Sequence, residues 1–163
     1  MVAAGFGGGP RVAVYDGRTL TGGPPQELFN DIFVFEQTLR NGVFVAAGDL
    51  DGDGFSDLAV GGGPGGGPRV LALSGRDLSA GKLASPTALA NFFGGDPANR
   101  GGVRVAVKDL DGDTRADLVV GSGTGAGSQV TAYAGKAIAP AGTPAAAMDF
   151  DAFPGFTGGV FVG

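Results

Sequence analysis

Two nine-residue segments hold the residues best suited to chemistry: Asp49-Leu-Asp-Gly-Asp-Gly-Phe-Ser-Asp57 and Asp109-Leu-Asp-Gly-Asp-Thr-Arg-Ala-Asp117, sixty residues apart. Each places aspartates at loop positions 1, 3, 5 and 9. Four carboxylates this close repel one another unless a cation neutralises them. Alternate residues of a tightly curled loop point inward together, so the pattern offers an oxygen cage, and Ca²⁺ takes six to eight oxygens in irregular geometry. In the first loop the expected ligands are the carboxylates of Asp49, Asp51, Asp53 and Asp57 and the carbonyl of Phe55. In the second they are Asp109, Asp111, Asp113, Asp117 and the carbonyl of Arg115. Two Ca²⁺ per chain are expected. Gly52 and Gly54 permit the curl. Thr114 stands where the first loop has Gly54, and a left-handed backbone there would strain it, so the second site is expected to be the weaker.

Other metals and other loops fit less well. An EF-hand needs a bidentate Glu at position 12 and flanking helices, whereas position 12 is Val60 or Val120 and both flanks read as strands. Mg²⁺ keeps several waters and seldom accepts an all-protein cage. A metal-free Asp/Gly turn is the plain alternative, and two copies with one spacing favour the metal. Protein oxygens would saturate such a site, so the ion reads as structural. Catalysis would need an open coordination position and a nearby base.

Composition narrows the function classes. The chain has no histidine and no cysteine, which removes Ser-His and Cys-His nucleophile pairs, thiolate metal sites and disulfides. No enzyme activity is expected. The net charge is −5, and eight of the sixteen acidic residues lie in the two loops. No basic stripe exists to neutralise phosphates, so nucleic acid is not an expected partner. No apolar run is long enough to span a membrane. Met1-Val-Ala-Ala-Gly5 lacks the charged and apolar regions of a signal peptide, which leaves a cytosolic chain or a segment of a longer exported one.

The 34 glycines and 10 prolines cluster between short apolar runs and follow no triplet period, which excludes collagen and disfavours long helices. The runs recur. Val43-Phe-Val-Ala-Ala-Gly-Asp49 matches Val103-Arg-Val-Ala-Val-Lys-Asp109. Gly7-Gly-Gly-Pro-Arg-Val12 matches Gly65-Gly-Gly-Pro-Arg-Val70, with Gly125-Ala-Gly-Ser-Gln-Val130 a degraded copy. One unit is an apolar run, the Asp loop, a second run at 58–60, a Gly/Pro turn at 61–68, a third run at 69–73, a linker, and a fourth run at 90–93. Four such runs describe a four-stranded antiparallel sheet. Sheets of this kind bury both faces by stacking radially, which predicts an all-β fold of β-propeller blades. The linkers differ between copies and are expected to share no role.

The unit starts out of phase with the chain. Aligning Met1–Gly5 with Asp57–Gly61 puts the start on a second strand, and Val160-Phe-Val-Gly163 repeats a first strand. About three blades follow: a split blade (1–36 plus 158–163), a blade at 41–94 and a blade at 101–153. Three are too few for a ring of the usual four to eight. Either two chains form a six-bladed ring, each C-terminal strand completing the partner's split blade, or further blades of a longer chain close it.

Residues 43–73 and 103–133 resemble the FG-GAP repeat family, the blade type of integrin α-subunits. The match rests on Gly48-Asp-Leu-Asp-Gly-Asp-Gly-Phe-Ser-Asp-Leu-Ala-Val-Gly61 and Lys108-Asp-Leu-Asp-Gly-Asp-Thr-Arg-Ala-Asp-Leu-Val-Val-Gly121. Phe93-Gly94 supplies the "FG", and Gly61-Gly-Gly-Pro64 stands at the "GAP". The resemblance implies a calcium-stabilised propeller, extracellular or at the cell surface, binding a protein or carbohydrate ligand through its loops. No Arg-Gly-Asp occurs, and position 48 is Gly where 108 is Lys. A propeller-based hydrolase or lyase, and a purely structural repeat of a larger surface protein, are the competing readings.

Remaining features have ordinary explanations. Gly61-Gly-Gly-Pro-Gly-Gly66 fits a dinucleotide fingerprint, but a strand follows it instead of a helix. Arg11, Arg69 and Gln129 recur at one repeat position, where pairing with an acidic neighbour is expected. Phe29, Phe33, Phe35, Phe92, Phe93, Phe150, Phe153 and Phe156 are expected in the core between blades. Asp149 and Asp151 share one face of a strand and read as edge charges.

Overall fold

The computed structural model describes every residue of the 163 except Asn30. Eleven strands form three antiparallel sheets. The first contains β1 (Val2–Ala3), β2 (Arg11–Tyr15) and β3 (Glu27–Phe33), in the order β1-β2-β3. The second contains β4 (Val43–Gly48), β5 (Asp57–Gly62), β6 (Arg69–Leu73) and β7 (Ala88–Phe93), in sequence order. The third repeats it with β8 (Val103–Lys108), β9 (Asp117–Ser122), β10 (Gln129–Tyr133) and β11 (Met148–Asp151). Helix is limited to α1 (Gly75–Ser79) and 3₁₀ turns at Gly17–Thr19 and Gly135–Ala137. These are propeller-like blades: two complete, and one lacking its first strand.

The sequence pattern accounts for the layers. β7 alternates, with Ala90 and Phe92 inward and Asn91 and Phe93 outward, the period of a strand with one wet face. β5 is buried along its whole length because neighbours cover both of its faces. One apolar cluster joins the first two blades through Val12, Ile32, Val43, Leu58, Val60, Leu71 and Leu73. A second joins the last two through Leu50, Ala59, Val70, Phe92, Val103, Leu118 and Tyr133.

Close approach between blades is written into position 48. A β-carbon on Gly48 would lie 2.5 Å from Val107 Cγ1 and 3.1 Å from Ala116 Cβ of the next blade. Lys108, its counterpart, faces no such neighbour and is exposed. The Gly-to-Lys departure therefore follows from what covers each blade.

The inner strands converge on an aromatic–cationic stack. Phe44, Arg104 and Phe161 occupy one repeat position, and the Arg104 guanidinium lies 5.0 and 4.8 Å from the two ring centroids. Arg104 is buried and its Nε has no hydrogen-bond partner.

Three expectations need correction. Val2 pairs with Ala13 and Ala3 with Val12, while Val60 pairs with Leu71 and Gly61 with Val70. Since Arg11-Val-Ala matches Arg69-Val-Leu, Val2 corresponds to Val60, and the alignment of Met1 with Asp57 was two residues out. Pairing register decides it, in agreement with the offset that takes Gly7–Val12 onto Gly65–Val70. Second, residues 158–163 do not complete the first blade within the chain. Val160 instead donates its N–H to the Ser122 carbonyl, as Val43 does to Ala4, and so takes the place of a following blade's first strand. Third, only Phe92 of the eight phenylalanines is fully buried, with Phe29 and Phe35 packed partly against the core. Phe33, Phe93, Phe150, Phe153 and Phe156 are exposed. Phe33 and Phe93 end outer strands, and Phe150, the counterpart of Phe92, has no blade over it.

Candidate metal centre

Each Asp loop is a hairpin tip between a blade's first two strands, β4–β5 or β8–β9. The antiparallel ladder runs up to Gly48–Asp57 and Lys108–Asp117, so loop positions 1 and 9 start side by side. In the first loop the carboxylates curl the backbone around themselves. Asp49 accepts the N–H groups of Gly52 (2.7 Å), Asp53 (3.0 Å) and Gly54 (2.9 Å). Asp51 accepts that of Asp53, and Asp53 that of Phe55. The second loop repeats most of this through Asp109, Asp111 and Asp113.

Asp57 anchors the arrangement. It is fully buried. Its Oδ2 accepts the N–H of Leu50 at 2.8 Å and its Oδ1 that of Gly75 at 2.8 Å. Burial pushes its carboxyl above the ordinary aspartate range, and the amides of Gly75 and Leu50 oppose that shift. Asp117 accepts the corresponding N–H groups of Leu110 and Gly135.

Ligand oxygens of Asp49, Asp51 and Asp57 lie within 4.8 Å of one another, and so do those of Asp109, Asp111 and Asp117. Three converging carboxylates form an all-oxygen donor set that could hold a hard divalent cation. Asp53 and Asp113 are not in these triads. Asp53 Oδ2 pairs with Arg76 Nε at 2.7 Å, and Asp113 with Lys136 Nζ at 3.5 Å. Phe55 and Arg115 occupy loop position 7. Thr114 has φ +74° and Gly54 +86°, so threonine does hold the left-handed conformation expected to strain it.

Sequence reasoning missed four residues of this centre. Gly75 and Gly135 donate to the buried aspartates, and Arg76 and Lys136 follow them over the loop carboxylates. The expectation that the linkers share no role is thereby corrected. Ser74-Gly-Arg and Ala134-Gly-Lys sit sixty residues apart, and that common offset was the available signal. A side chain at either glycine would collide with the carbonyl of Ser56 or Ala116.

The two loops also touch. Ala116 donates its N–H to the Asp49 carbonyl at 2.7 Å, and the Arg115 side chain lies against Gly52.

Residues 41–71 match the family model of the FG-GAP repeat. This segment is an FG-GAP repeat. It spans β4, the first Asp loop, β5 and most of β6, and the second complete blade repeats its strand order and loop geometry. No curated protein and no solved structure matches the chain.

The recurring arginine position behaves as expected. Arg11 pairs with Asp31, and Arg69 with Glu36 at 2.9 Å. Gln129 binds Asp149, and Ser128 binds Asp151, on a fully exposed edge strand.

Proposed function

We propose that the chain is a calcium-binding FG-GAP propeller module in which two Ca²⁺ ions stabilise the blade hairpins. The observation that carries this is the pair of carboxylate triads at equivalent hairpin tips. Asp53, Asp113 and the carbonyls of Phe55 and Arg115 would complete the two shells once the cation displaces Arg76 and Lys136. The role is structural and not catalytic: the carboxylates converge on the loop itself, and no histidine stands nearby. FG-GAP repeats are typically extracellular, where millimolar-affinity calcium sites suffice, and we place this module there. Among the described residues no helix is long and apolar enough to cross a membrane. Calorimetric titration of chelator-treated protein tests the reading. Two ions are expected, and one each for Asp51→Asn and Asp111→Asn. No heat of binding, or two ions retained in both variants, refutes it.

Binding of a ligand is a second role, favoured by one groove. Between the first two blades Arg69 narrows the groove to a cavity of about 280 Å³, stacking on Phe35 at 5.0 Å and pairing with Glu36. Between the last two, the same positions are Gln129, Gly95 and Asp96, and a cavity of about 510 Å³ opens. Its lining includes Asp96, Asn99, Thr131, Tyr133 and Asp149, with no Lys or Arg. That chemistry suits a neutral polyhydroxylated ligand such as an oligosaccharide and disfavours an anion. A panel of neutral oligosaccharides is the probe. Gln129→Arg should refill the groove and abolish any binding; no binding, or binding that survives the substitution, removes this role.

Further blades are proposed to cover the last sheet, supplied by a second chain in a six-bladed ring or by a longer chain. Leu110 is 52% exposed where Leu50 is 0%, and Phe150 46% where Phe92 is 5%. Light scattering that shows only monomer at every concentration excludes the two-chain ring.

A further inference from the structure

We propose that Lys136 is a built-in competitor for the cation of the second Asp loop, and that it separates the two loops in affinity. The inference rests on the calcium reading above and concerns how this chain's own residues tune it. Lys136 Nζ lies 2.8 Å from Asp111 Oδ2 and 3.5 Å from Asp113 Oδ2. Asp111 belongs to the carboxylate triad, so the ammonium sits on a metal ligand.

The first loop differs at the same repeat position. Arg76 bonds Asp53 Oδ2 and the Asp53 carbonyl, and its guanidinium packs 5.3 Å from the Phe55 ring centroid. Arg76 must leave only Asp53, outside the triad of Asp49, Asp51 and Asp57, whereas Lys136 must leave a triad member, Asp111, as well as Asp113. A cation entering the second loop has two options. It ejects the lysine and breaks the ion pair, or it tolerates a second positive charge on a shared carboxylate. Both weaken binding. The preceding Gly135 N–H, bound to Asp117 at 2.9 Å, sets the backbone from which the lysine reaches the loop. In the metal-free protein the same ammonium relieves repulsion between Asp111 and Asp113.

The experiment is calorimetric Ca²⁺ titration of the full chain carrying Asp51→Asn, which leaves only the second loop, with and without Lys136→Met or Lys136→Arg. Lys136→Met should tighten binding about two- to fivefold, the span an exposed ion pair carries, and added KCl should shrink the gain. Lys136→Arg should keep the weak binding. In chelator, Lys136→Met should melt lower than the parent. Unchanged or weaker binding in Lys136→Met, or no loss of melting temperature in chelator, overturns the proposal while calcium binding stands. Absence of binding in every variant instead sinks the calcium reading of this loop, and the competition with it.

Discussion

Replacing Asp57 by alanine should destabilise the protein even when no metal is present. The carboxylate is fully buried and accepts N–H groups from Leu50 and Gly75 at 2.8 Å each, with Asp51 a longer third donor at 3.4 Å. Alanine leaves the two short-range donors without a partner. An unsatisfied buried donor costs about 1–3 kcal/mol, so the expected loss is about 2–6 kcal/mol. Asp53 gives the contrast. Its ion pair with Arg76 is solvent-accessible, and removing an exposed pair costs about 0–1 kcal/mol. Urea unfolding in excess chelator measures both variants. Equal costs for Asp57→Ala and Asp53→Ala would refute the claim that position 9 ties the loop to α1. Repeating the melts in calcium then separates anchoring from ligation, since both variants should also lose calcium-dependent stabilisation.

Further predictions follow from paired positions. Leu50→Ala should cost about 2–5 kcal/mol as a core truncation, whereas Leu110→Ala, half exposed, should cost far less in the isolated chain; similar costs would mean the last sheet is covered in solution. Thr114→Gly removes about 1–2 kcal/mol of left-handed strain, less about 0.4–1 kcal/mol of added unfolded-state entropy. A small rise in urea midpoint is expected, and a fall would show that threonine is not strained there. Asp77 is held down to about 2, chiefly by Lys82 and then by Thr87. A depressed carboxyl stabilises above its unfolded value of 3.8 and loses that contribution as pH falls toward 2. The stability gap between the parent and Asp77→Asn should therefore exist at pH 5 and close near pH 2, as acid melts would show.

Much of this centre was legible in residue order. Aspartates at positions 1, 3, 5 and 9 between β-branched runs specified a curled oxygen-lined hairpin tip, because local hydrogen bonds from carboxylate to following amides need no tertiary information. What partners Asp57 was not legible. Gly75 meets it only once β6 has returned along β5, a contact made by the sheet and not by the loop. The pairing of Asp53 with Arg76 has the same origin. The two-residue error at Met1 arose from matching Val-Ala-Ala to Leu-Ala-Val by likeness, although extending the Gly7–Val12 match to Gly65–Val70 back to Val2 gives Val60. The phenylalanines misled because apolar character reports a preference for burial, while burial itself depends on a neighbouring blade.

Gly48 makes the two complete blades unequal as building blocks. A unit that carries glycine there can receive a full blade against its inner edge, since nothing projects toward the incoming Val107 and Ala116. A unit that carries Lys108 receives a further blade only once that exposed side chain swings away from the place the contact needs. Blade order in this chain is thus a directional property: position 48 meets the next blade with no side chain in the way, and position 108 does not.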